Sequence, residues 1–112
     1  MKKLEIIIKP EKLESLKNIL DDCEASGLMI TNIMGYGNQK GYTRMYTGTT
    51  YNVNLLPKVK VETVVAADAA ENIVDRAVKE ISPGNYGDGK IFIYNIEDVV
   101  RIRTGERGAD AI

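Results

Sequence analysis

Lys58-Val59-Lys60-Val61-Glu62-Thr63-Val64-Val65 alternates polar and apolar residues, the period of a strand with one covered face. Lys58, Lys60 and Glu62 share the other face, which is either solvated or borders a ligand. Asp68 follows as an expected N-cap with Glu71 three residues on, a capping box that opens a helix. Ala70, Ile73, Val74, Ala77 and Ile81 form its buried stripe, Pro83-Gly84-Asn85 ends it, and Lys90 to Ile96 makes another strand.

The same layout stands upstream. Leu4-Glu5-Ile6-Ile7-Ile8-Lys9 is a mostly apolar strand, central in its sheet. Pro10 suits a first helical position, where its missing N–H costs nothing. Leu13, Leu16, Leu20 and Cys23 recur at helical spacing with Ile19 beside them, while Lys12, Glu14, Lys17 and Asp21 face away. Gly27 is the expected C-terminal stop, and Leu28 to Tyr36 is a second strand. Cys23 lies on the apolar stripe and reads as a small core residue. The order is β-α-β twice over. That predicts an α+β, ferredoxin-like fold: a four-stranded antiparallel sheet with both helices on one face. The other face retains Ile7, Val64 and Phe92, apolar surface that another subunit is the obvious element to cover, so an oligomer is expected.

At 112 residues the chain is expected to form one domain, residues 1–112. An apolar content of 44% and a charged content of 28% suit a soluble globular protein, and a net charge of −1 argues against a broad nucleic-acid footprint. Met1-Lys2-Lys3-Leu4-Glu5 lacks the apolar segment of a secretory leader, and one cysteine fits a reducing compartment, so a cytoplasmic location is expected. With no histidine, His-based triads and dyads are excluded, and zinc sites are not expected. Enzymatic activity is not expected.

Two stretches carry candidate chemistry. In Gly87-Asp88-Gly89-Lys90, glycines flank an acidic residue before a lysine opens a strand, and such a turn can aim backbone N–H groups at an anion. The residues equally fit a tight turn before an edge strand. Arg101-Ile102-Arg103 would, if extended, send both guanidinium groups to one face, and with Lys90 they match phosphate oxygens. The second stretch, residues 38–54, is rich in tyrosine and threonine with Gly48 among them. It is expected to form a two-stranded ribbon whose Tyr42, Tyr46 and Tyr51 suggest an interface.

These residues together identify a resemblance. The chain resembles the PII signal-transduction family, the nitrogen regulatory proteins, along essentially its whole length. The matching stretches are Met1-Lys2-Lys3-Leu4-Glu5, Gly35-Tyr36-Gly37-Asn38-Gln39-Lys40-Gly41, Leu56-Pro57-Lys58-Val59-Lys60-Val61-Glu62, Gly87-Asp88-Gly89-Lys90-Ile91-Phe92 and Val99-Val100-Arg101-Ile102-Arg103-Thr104-Gly105-Glu106-Arg107-Gly108. The resemblance implies a homotrimer that binds ATP or ADP in clefts between neighbours. Gly87, Asp88, Gly89, Lys90, Arg101 and Arg103 match phosphate-binding positions. Gly35, Gly37, Asn38 and Gln39 approach from the base of the long loop, Val64 lies near the adenine, and Glu62 helps hold the cleft. It further implies sensing of 2-oxoglutarate through a Mg²⁺ bridged by ATP phosphates, with Gln39 as the protein ligand to the metal and Lys58 pairing with a keto-acid carboxylate. An octahedral Mg²⁺ shared by phosphates and a keto acid needs few protein ligands.

By the same resemblance the loop at about 37–55 is the family's T-loop, which docks on partners such as an ammonium transporter or a nitrogen-metabolism enzyme. The nucleotide turn spans about 82–90 and the C-terminal loop about 99–112. Tyr51 matches a tyrosine that is uridylylated in some members. There are departures. Asn38 stands where arginine is usual, Pro83 replaces a threonine, Asn85-Tyr86 differ from lysine and isoleucine, and Thr47 replaces a basic residue for which Arg44 is a candidate substitute. An alternative reading is a sensor of adenylate charge alone, acting on another transporter or enzyme.

Overall fold

The structure, a computed structural model, describes residues 1–36, 42–46, 49–53, 55–82, 84 and 88–112, with the side chains of 42–53 left undescribed. Its main sheet contains β1 (Lys2–Ile8), β2 (Met29–Tyr36), β5 (Leu55–Val65) and β6 (Lys90–Asn95). They lie in the order β2-β5-β1-β6, each antiparallel to its neighbour. Two strands of similar layout thus take the centre, as the apolar run at 4–9 predicts for β1. With α1 (Leu13–Asp22) and α2 (Ala67–Glu80) this is the ferredoxin-like βαββαβ fold.

Alternation along β1 and β5 builds the core. Leu4, Ile6 and Ile8 meet Val59, Val61 and Val65 beneath Leu16, Ile19 and Leu20 of α1, and Ala70, Ile73 and Ala77 of α2. Burying each large aliphatic side chain contributes roughly 1.5–3 kcal/mol, which is what holds helices to sheet. Thr63 occupies one of these inward positions, and its hydroxyl is satisfied by donating to the Gly27 carbonyl at 2.7 Å. Val74 and Cys23 are half-buried at the margin of the core.

The helix boundaries differ from the expected ones. The chain turns through one 3₁₀ turn (Pro10–Lys12) before α1 begins. α1 then stops at Asp22, not at Gly27. Glu24 adopts φ 60°, while Glu24 N–H donates to the Asp21 carbonyl (3.1 Å) and Ala25 N–H to the Leu20 carbonyl (2.9 Å). This is a Schellman closure with glutamate where glycine is usual. At α2 the cap is Ala66, in extended conformation and without a side-chain hydrogen bond. Asp68 therefore lies inside the first turn, where Oδ1 accepts from the Ala69 N–H at 3.0 Å. The Asp68–Glu71 capping box is not formed, because Ala66 already marks the change from extended to helical backbone. Asp68 instead places negative charge at the positive end of the helix dipole.

β5 begins three residues before the alternating run, because Leu55, Leu56 and Pro57 pair with Tyr36, Gly35 and Met34. The expected ribbon is present as a separate sheet, β3 (Tyr42–Tyr46) against β4 (Thr49–Val53), with Arg44 opposite Tyr51. Gly48 and Thr47 lie outside the described residues. No described helix is long and apolar enough to cross a membrane.

Candidate functional site

Gly35, Lys58, Asp88, Gly89 and Lys90 come together at one end of the sheet. The register explains how. Lys90 pairs with Ile7, Ile8 with Val59, and Ile33 with Lys58, so the turn before β6, the end of β1 and the Ile33–Lys58 region of β2 and β5 are neighbours. Gly89 lies so close to β1 that an added Cβ would stand 1.9 Å from the Ile7 carbonyl oxygen, and its φ is +122°. Only glycine fits there. Asp88 anchors the turn on its other side: Oδ2 accepts the Ser82 hydroxyl at 2.7 Å, and Oδ1 lies 3.5 Å from Lys9 Nζ. Ser82 Oγ in turn accepts the Gly84 N–H at 3.0 Å.

Lys58 is the unusual member. It is 6% exposed although it belongs to the face away from the helices. Its stem crosses Gly35, where a Cβ would approach Lys58 Cγ to 2.9 Å, so the bare glycine makes the passage. Burial holds the Lys58 ammonium below the ordinary lysine range, the Lys9 charge adds to this, and Glu11 and Asp88 oppose it. An ammonium short of water gains more from an arriving anion than a hydrated one does.

Glu62, Val64 and the C-terminal loop form a second group at the opposite end. At about 3.3 Å per residue, Glu62 lies roughly 13 Å and Val64 roughly 20 Å along β5 from Lys58. Glu62 is 2.9 Å from Lys3 Nζ and 3.7 Å from Lys60 Nζ. Lys3 holds the Glu62 carboxyl below its usual range, and Glu62 raises Lys3. Lys3 Nζ also sits 5.3 Å from the Tyr94 ring centre, and the Tyr94 hydroxyl donates to Glu5 at 3.2 Å. A hollow of about 360 Å³ opens here, lined in part by Lys3, Met29, Glu62, Val64, Val99 and Ile112.

Arg101 and Arg103 leave from this second end. Their stretch is a turn, not the extended run that would align both side chains. Gly105 N–H donates to the Arg101 carbonyl at 2.7 Å and Arg101 N–H to the Glu106 carbonyl at 2.9 Å, closing a loop above the Val100–Arg107 bridge. Glycine at 105 (φ +75°) permits the reversal. Arg101 is paired with Glu106, and Ile102 is 99% exposed.

One chain therefore divides the expected phosphate-binding residues between its two ends. Gly37, Asn38, Gln39 and Gly87 lie outside the described residues, as do Pro83, Asn85 and Tyr86; Tyr51 is placed on β4. Lys9, Ser82, Lys3 and Glu106 escaped the sequence reading. Their partners are distant in the chain or carry no spacing signal; Lys3 and Glu106, inside matched stretches, were within reach of it.

The family described as Nitrogen regulatory protein P-II matches residues 1–106. Proteins called "Nitrogen regulatory protein P-II" from Mesorhizobium japonicum and Rhizobium meliloti are 50% and 49% identical over 112 residues, covering 100% of both chains. One from Haemophilus influenzae is 46% identical over the same span. The chain belongs to the P-II family. It is accordingly a regulator in nitrogen signal transduction, and P-II family regulators act on proteins of nitrogen metabolism.

Proposed function

We propose that this P-II family member is a trimeric, non-enzymatic regulator that binds ATP or ADP between neighbouring subunits. Its turn end (Gly35, Lys58, Asp88, Gly89, Lys90) faces the loop end (Glu62, Val64, Arg101, Arg103) of the next copy. The observation that carries this reading is the separation of the two basic groups: a phosphate chain held by Lys90 and by Arg101 needs two chains arranged head to tail. The exposed Ile102 and half-exposed Val100 supply apolar contact for such an arrangement. In it, the backbone and Lys90 of the 87–90 turn orient the phosphates, and the hollow at Val64 and Glu62 takes the base.

2-oxoglutarate is the proposed second ligand, bound with Mg²⁺-ATP. Mg²⁺ would bridge phosphate and keto-acid oxygens, with Gln39 as its protein ligand. Lys58 suits the keto acid's carboxylate because it is buried and short of water. The ribbon of β3 and β4 then reports occupancy to an ammonium transporter or nitrogen-metabolism enzyme, since it grows from strands that carry Gly35 and Lys58. Tyr51, on β4, is a proposed modification site.

Calorimetric titration of the protein with ATP, with ADP, and with 2-oxoglutarate in the presence and absence of Mg²⁺-ATP tests this. Keto-acid binding that requires Mg²⁺-ATP is the expected result. Binding of ATP and ADP without any keto-acid response selects the sensor of adenylate charge alone, which the asparagine at 38 favours.

A further inference from the structure

The Arg101 guanidinium is already engaged. Its Nη1 donates to Glu106 Oε1 at 2.8 Å, with the two side chains 37% and 45% exposed. A carboxylate offers this fork the same kind of acceptor as a phosphate does. The ion pair is also redundant for the shape of the loop. Backbone bonds join Arg101 to Glu106, Gly105 to Arg101 and Gly108 to Val99. Arg107 Nη1 and the Gly108 N–H are both tied to Asp98, at 2.8 and 3.2 Å. Thr104 Oγ1 accepts the Glu106 N–H at 3.2 Å, fixing that residue's backbone independently of its carboxylate. A side-chain pair that is half exposed and not needed to hold the loop yields to a stronger anion at small cost.

We propose that Glu106 is an internal competitor for Arg101: its carboxylate occupies the guanidinium and must be displaced before phosphate can take it. Glu106 is therefore an affinity-setting residue, acting through Arg101. This rests on the reading of Arg101 as a phosphate ligand. Replacing the carboxylate by an amide keeps the size and removes the charge, so the competitor weakens while the loop persists.

The test is a double-mutant cycle by calorimetric titration with ATP, using the full chain as wild type, Glu106→Gln, Arg101→Ala and the double variant, at low and high KCl. Glu106→Gln should bind ATP roughly two- to fivefold more tightly at low salt, with the gain shrinking at high salt. The gain should vanish in the Arg101→Ala background, because a competitor without its target has no effect. A gain that persists there reflects general repulsion between carboxylate and phosphate and overturns the proposal. Weaker binding by Glu106→Gln also overturns it, showing that the carboxylate orients Arg101. If Arg101→Ala binds ATP as well as the wild type does, the assignment of Arg101 itself fails, and the proposal with it. Nucleotide binding at the remaining residues would still stand.

Discussion

At residue scale the site depends on positions where a side chain is absent as much as on those where one is charged. Gly89 is the clearest. Both its backbone angle and its distance from the Ile7 carbonyl exclude a Cβ. Gly89→Ala should cost about 3 kcal/mol or more, combining left-handed strain with a backbone clash. Chemical denaturation monitored by circular dichroism measures it; a loss below about 1 kcal/mol would mean that the turn does not rest on β1. Gly35 acts more locally, since the nearby atom is the Lys58 stem and a lysine can shift where a carbonyl cannot. The sequence singles out both glycines, but the reason for each is a neighbour more than 20 positions away, as the Gly35–Lys58 and Gly89–Ile7 separations show.

At the scale of elements, the helices are held by their apolar stripes and only weakly by their ends. α2 starts at Ala66 with no side-chain cap. Ala66→Ser should therefore raise stability by about 1 kcal/mol, provided the new hydroxyl accepts from the first turn, and the denaturant midpoint reports it. At their other ends the helices are joined by Arg76, whose Nε and Nη2 donate to Glu80 at 2.6 and 3.0 Å while Nη1 donates to Asp22 at 2.7 Å. Arg76 holds the Glu80 carboxyl below its ordinary value of 4.5. A carboxylate depressed in the folded state contributes stability that is fully present above the unfolded value and lost as pH falls through the folded one. Thermal melts taken from pH 7 downwards should lose stability from about pH 4.5, and Arg76→Gln should flatten part of that acid limb. An unchanged acid limb in the variant would show that the clasp is not populated in solution.

At the scale of the whole molecule, the proposed cleft between subunits makes a prediction that no single-chain site shares. Lys90→Ala and Arg101→Ala chains, each impaired alone, should complement when co-refolded. In random mixtures about a quarter of the interfaces combine an intact turn end with an intact loop end, restoring that share of tight ATP sites. Titration of the mixture against each parent measures it, and a mixture no better than its parents would place the whole site within one chain. Local pattern was enough to foresee the βαββαβ order, the central place of β1 and the ribbon, because periodicity and turn residues act over a few positions. The caps differ from the expected ones for a related reason: backbone hydrogen bonds at the helix ends, Glu24 N–H to the Asp21 carbonyl and Ala70 N–H to the Ala66 carbonyl, override residue preference at Glu24 and Ala66. The chain by itself determined the strands, the helices, the family and the list of basic and glycine residues for an anion site. Only the tertiary structure decided that this list falls at two ends of one sheet, that Lys58 is buried against Gly35, and that Glu106 occupies Arg101. Those facts follow from strand register and loop closure, which bring together residues that the sequence leaves apart.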